Sequence, residues 1–108
     1  MDKHTWGDSQ AAVNLANTLN TPEFTPFSRT VAKLLSKYQS AIKPLMHIPQ
    51  KDARETALKM FRDKYINHVA DANLPEIIKS HVCCVMVGFY RKMLASSKMG
   101  ILLAWLGL

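Results

Sequence analysis

The sequence is poor in the residues on which most small enzymes and small secreted domains depend. Its 108 residues include only two Cys, four Gly and five Pro. The cysteines are neighbours, Cys83 and Cys84, so no disulfide framework is available. That places the chain in a reducing or matrix-like compartment, with both thiols expected as small buried hydrophobes. Four scattered glycines cannot build a phosphate-cradling loop, and no nucleotide-binding glycine motif or nucleophile elbow occurs. The four histidines, His4, His47, His68 and His81, do not stand three or four residues from one another. No metal site, no cofactor and no catalytic group is therefore expected. Length works in the same direction, because a 12.2 kDa chain is one domain with a small core.

A second absence is of charge of one sign. All eight acids lie at or before Glu76, where ten Lys and Arg leave a net +2. From Ile77 onward there is no acid, and Lys79, Arg91, Lys92 and Lys98 contribute +4. Surfaces exposed to water normally intersperse both signs, so the last third reads as a segment meant for lipid or for burial. Residues 1–8 contain two acids and no apolar core, unlike a secretory signal or a cleavable transit peptide. Import into an organelle is expected to use an internal signal.

What the chain does hold is helical periodicity. Asp8 or Ser9 can cap a short, weakly amphipathic helix through about Asn20, with Ala12, Leu15, Ala16 and Leu19 on one side. After the turn segment Thr21 to Pro26, Thr25 can cap a second helix and Pro26 can occupy its first turn. In that helix, to about Lys43, Phe27, Val31, Leu34, Leu35, Tyr38 and Ile42 form one apolar face. Arg29, Lys33 and Lys37 recur on another. Pro44 and Pro49 break the pattern. A third helix is predicted from Lys51 to Ala70, with Ala57, Leu58, Phe61, Tyr65, Ile66 and Val69 inward. Its charges are spaced for pairs at i,i+4: Lys51 with Glu55, Glu55 with Lys59, Lys59 with Asp63. Asn73 can cap a fourth helix starting near Pro75 and running past Leu94. No segment alternates with period two, so the fold class is all-α with about four helices. Residues 1–73 form an amphipathic region, and residues 74–108 a long apolar C-terminal helix and tail.

A free-standing transmembrane helix needs roughly 20 mainly apolar residues, and no uninterrupted run here reaches that. Taken as one helix, Ile77 to Arg91 offers a short span whose flanking cations can snorkel to headgroups. Ser80, Cys84, Gly88, Ser96, Gly100 and Ala104 share a four-residue spacing broken only by Lys92. Small residues so spaced permit close helix contact where lipid removes the hydrophobic drive. Arg29, Lys33, Lys37, Arg91 and Lys92 are the candidate contacts to lipid or phosphate. Nucleic acid fits them less well, because no aromatic platform is interleaved with them.

Lys64-Tyr65-Ile66-Asn67, then Asn73, Pro75, His81 and Gly88-Phe89-Tyr90, resemble the matrix-to-membrane entry of subunit f of the mitochondrial ATP synthase. There a Lys-Tyr pair ends an amphipathic segment and a polar linker leads into one membrane helix. The Gly-Phe-Tyr cluster is also similar to subunit g. The resemblance covers about 30 of 108 residues. It implies a non-catalytic subunit of the Fo region at the inner membrane, bracing other subunits and contacting cardiolipin. Arg91, Lys92 and Lys98 depart from it by interrupting the apolar span. The other open reading is a soluble all-α interaction or RNA-associated protein that buries its apolar C-terminus in a partner or a second copy.

Overall fold

The computed structural model describes the backbone of residues 3–99 and the side chains of residues 10–97. Among the described residues the architecture is wholly helical: α1 (Lys3–Leu19), α2 (Ser28–Ile42), α3 (Lys51–Ala70) and α4 (Glu76–Met99), with 3-10 turns at Thr25–Phe27 and Lys43–His47. The helix α3 has the bounds its periodicity predicts. The helix α1 starts earlier than expected, so Asp8 and Ser9 lie inside it and not at its N-terminus. Its apolar strip is thin: Leu15 is buried and Leu19 packs on the core, while Ala12 and Ala16 are exposed.

Thr25 also acts differently from expectation. Its hydroxyl donates to the carbonyls of Leu19 at 3.0 Å and Thr21 at 2.9 Å, and so closes the end of α1. Pro26 starts a 3-10 turn, which moves the start of α2 to Phe27 and Ser28, where no side chain caps it. At the far end of α2, Pro44 lies in the second 3-10 turn. Ile48 is extended, at φ −65° and ψ 121°, because the following Pro49 disfavours a helical residue before it. Between α3 and α4 the chain reverses in five residues, 71–75. Lys79 Nζ spans that turn, donating to the carbonyl of Ala70 at 2.7 Å, one of the acceptors left free at a helix C-terminus.

The helix α4 is the central element. It packs extensively on α3 and on α1, and α2 lies across α3 and α4 with a smaller contact. Leu74, Ile78, Val82, Met86 and Tyr90 recur every fourth residue and are all buried. Opposite them are Val31, Tyr38 and Ile42 of α2 and Leu58, Tyr65 and Val69 of α3. Each such side chain fully withdrawn from water stabilises the fold by roughly 1.5–3 kcal/mol before chain entropy is counted. Within the stretch Ile77 to Arg91, read from sequence as a span, Ile78, Val82, Met86 and Tyr90 thus face the centre of the bundle, while Ile77 and Cys84 are exposed. No helix among the described residues is long and apolar enough to cross a membrane.

Candidate functional site

Two clusters of specific side-chain contacts lie at different levels of the bundle. The first is aromatic. Tyr38 has ring centroids 5.4 Å from Phe61, 5.3 Å from Tyr65 and 6.0 Å from Phe89, the last two edge-on. Its hydroxyl donates to the carbonyl of Met86 at 3.1 Å. Burial pushes the Tyr38 hydroxyl up to about 12, with the Arg62 charge pulling down and Tyr90 pushing up. It is therefore a fixed donor and no base at neutral pH. Arg62 lies 4.6 Å from the centre of the Tyr90 ring and binds Asp63 through Nε and Nη2, at 3.0 and 2.8 Å.

The second cluster is polar, and the sequence reading did not identify it. Arg54, 3% exposed, donates from Nε to Ser97 Oγ at 2.7 Å and from Nη2 to the Ser97 carbonyl at 3.1 Å. Its Nη1 donates to the carbonyl of Ile48 at 2.9 Å. One guanidinium thus joins Ser97 of α4, itself 2% exposed, to the residue that precedes Pro49. A signal was present in the sequence: Arg54 stands four residues before Leu58, in register with the buried face of α3.

The residues singled out from sequence are placed as follows. Arg29, Lys33 and Lys37 are exposed on α2, each two residues from Val31 or Leu35 and so turned away from the core. Arg91 and Lys92 are exposed on α4. In the small-residue series Ser80 and Cys84 are exposed, Ser96 is half-buried and Gly88 is buried; Gly100 and Ala104 lie outside the described residues. Met86 and Gly88, about 200° apart on the helix, are both covered, in keeping with the contacts of α4 to both α3 and α1. The series therefore does not form one continuous contact face.

Cys83 is half-buried and Cys84 exposed, so only one of the two packs as a small hydrophobe. Burial, reinforced by Cys84, pushes the Cys83 thiol up, which disfavours the nucleophilic thiolate. His47 and His68 are exposed and His81 is half-buried. Among the described residues no three His, Cys, Asp or Glu converge as a metal site would require. The three expected i,i+4 pairs on α3 do not close; the ion pairs among the described residues are Arg62–Asp63 and Lys79–Glu76. Lys51, Lys59 and Asp63 are exposed, where such pairs gain too little to hold long side chains in place, while Glu55 is half-buried and its Oε1 has no hydrogen-bond partner among the described residues. No protein family, curated protein or solved structure matches the chain.

Proposed function

We propose that the chain is a non-catalytic accessory subunit that braces its neighbours in a mitochondrial inner-membrane complex, with the Fo region of ATP synthase as the assembly. The observation that carries this is that Ile78, Val82, Met86 and Tyr90 of α4 are already used inside the bundle, while the sequence that follows, Gly100-Ile101-Leu102-Leu103-Ala104-Trp105-Leu106-Gly107-Leu108, is apolar and has no charge. Such a segment is unfavourable in water and is met by lipid or by an apolar partner surface. The partial likeness to subunit f supplies the choice of assembly. Other subunits are the partners, and exposed cations meet anionic lipid such as cardiolipin. The chemistry of the interior agrees with a bracing role, since Tyr38 and Cys83 are both held in their protonated forms.

A second reading is an all-α interaction protein that buries residues 100–108 in a protein partner or a second copy. It is favoured by the absence of a crossing helix among the described residues. Purification of the tagged full chain in mild detergent, with mass spectrometry of what accompanies it, tests the first reading. ATP synthase subunits in stoichiometric amount, and retention of the chain in membranes after carbonate washing, are expected. A chain that is released by carbonate and monodisperse without detergent overturns it in favour of the second.

A further inference from the structure

The acids leave a second gap, between Glu23 and Asp52. Within it lie Arg29, Lys33, Lys37, Lys43 and Lys51, all exposed, and the ion pairs among the described residues use none of them. Arg29, Lys33 and Lys37 stand about one turn apart and form a ridge about 12 Å long on the outer side of α2. Beside that ridge runs a second four-residue row, Ala32, Ser36 and Ser40, which is exposed, short and uncharged. Gln39 and Lys43, also exposed, bound it on the far side. The outer face of α2 is thus a low groove with three cations on one bank and Lys43 on the other.

We infer that this face is the docking surface for an acidic helix of a partner protein, one that carries Asp or Glu in a four-residue row. Helices pack by laying a ridge of one in a groove of the other, and rows of four-residue spacing are the ridges used most often. Carboxylates so spaced on the partner repeat about every 6 Å, the interval of Arg29, Lys33 and Lys37. Other anionic surfaces match the face less well. A helix that lies on lipid sinks an apolar side into it, but Val31, Tyr38 and Ile42 are buried in the bundle and no large apolar residue of α2 is exposed. A nucleic-acid site would place aromatic rings among the cations, but Tyr38, the one aromatic residue of α2, is turned into the core against Phe61, Tyr65 and Phe89. The inference rests on the accessory-subunit reading above and adds which face meets one neighbour, and by what chemistry. Arg91 and Lys92, exposed on α4, remain for lipid.

The test is binding of the full chain, by fluorescence anisotropy, to two labelled helical peptides of the same alanine-rich composition. One carries its glutamates in a single four-residue row, and the other has them dispersed around the helix. The row peptide is expected to bind about five-fold more tightly, with an affinity that falls as salt rises. Arg29→Gln, Lys33→Gln and Lys37→Gln together should weaken its binding about ten-fold, each exposed pair being worth about two-fold. Ala32→Gln with Ser36→Gln, which fill the groove without changing the charge, should cost about five-fold and leave retention on heparin as it is. Lys59→Gln with Lys64→Gln, exposed on α3, should change it less than about two-fold. Circular dichroism is expected to show all three variants as helical as the parent. Equal affinity for the two peptides, equal losses from the α3 pair, or binding to RNA or to phosphatidylglycerol vesicles while neither peptide binds would each overturn the inference. In the complex purified in mild detergent, carbodiimide, which joins a lysine amine to a carboxylate in contact with it, is expected to couple Lys33 or Lys37 to an acidic helix of a neighbour. If neighbours co-purify but couple only through other faces, the inference fails and the accessory-subunit reading stands; peptide selectivity without co-purifying ATP synthase subunits removes that reading and leaves the α2 face.

Discussion

The bundle is joined by different chemistry at two levels. In the middle, Tyr38 holds α2 against α3 and α4 by ring packing, and its one hydrogen bond is to a mid-helix carbonyl, that of Met86. At Ser97, where α3 meets α4 and the segment before Pro49, the joint is a buried charge whose three bonds all go to neutral oxygens. Ring packing tolerates small shifts, because dispersion is spread over many weak contacts. A guanidinium bound to three oxygens fixes direction, because each bond is short-ranged and angular. The middle therefore sets how strongly the helices adhere, and the guanidinium sets how Ser97 and Ile48 sit against α3.

The sharpest way to break that division is to remove each joint and compare global stability with local opening. Tyr38→Ala takes away a ring that three others pack against and should cost about 4 kcal/mol in urea unfolding of the full chain. A cost under about 1 kcal/mol would mean that the other rings close the gap and the middle is not what binds the helices. Arg54→Met keeps much of the stem but strands the carbonyls of Ile48 and Ser97, and should cost about 3 kcal/mol. Amides around Ser97 should exchange faster in this variant under native conditions, which Tyr38→Ala would not do selectively. If Arg54→Met leaves both stability and exchange unchanged, buried charge is no advantage over apolar contact here, as happens for some buried ion pairs.

Ser97→Ala sharpens the same point with a smaller change. It deletes one acceptor from Nε and leaves both carbonyls in place, so a loss of about 2 kcal/mol is expected for a bond to a charged donor. Ser97→Thr, which retains the hydroxyl, should recover most of that loss if the bond, and not the small size of serine, is what matters. An equal loss in both variants would show that the site selects for volume.

The two levels also differ in how far the sequence discloses them. Phe61, Tyr65 and Val69 on α3, and Val31, Leu34, Leu35 and Tyr38 on α2, lie at helical spacing, and apolar periodicity alone marks them as inward. Periodicity assigns charged residues to the outside, so Arg54 escapes it although it shares the register of Leu58. Nothing in the local sequence states that Ser97, 43 residues away, would receive it. The apolar content of α4 is legible, but its destination is not. Val82 and Met86 have the same composition whether they face lipid or Tyr38, and only the tertiary contacts decide. Thr25 is a similar case at short range, since its hydroxyl serves the carbonyls of Leu19 and Thr21 where an N-cap for α2 is expected.

The smallest expected effect separates the two parts of Tyr38 itself. Tyr38→Phe keeps the ring and its packing and removes only the bond to the Met86 carbonyl, so about 1 kcal/mol is expected at neutral pH. Ionisation separates the same two parts in a second way. The hydroxyl titrates at about 12 in the folded chain against 10.0 for the ordinary group, so it is the unfolded state that ionises first. Its stabilising contribution is complete below pH 10 and is lost as the pH climbs from 10 towards about 12. The Tyr38→Phe variant has nothing at this position to ionise in either state. The difference in stability between parent and variant should therefore shrink over that interval, then reverse if the cost of burying the ionised hydroxyl exceeds what the neutral one contributes. A difference that stays constant across the alkaline range would show that Tyr38 titrates alike folded and unfolded, and that the middle of the bundle is wetter than its ring contacts imply.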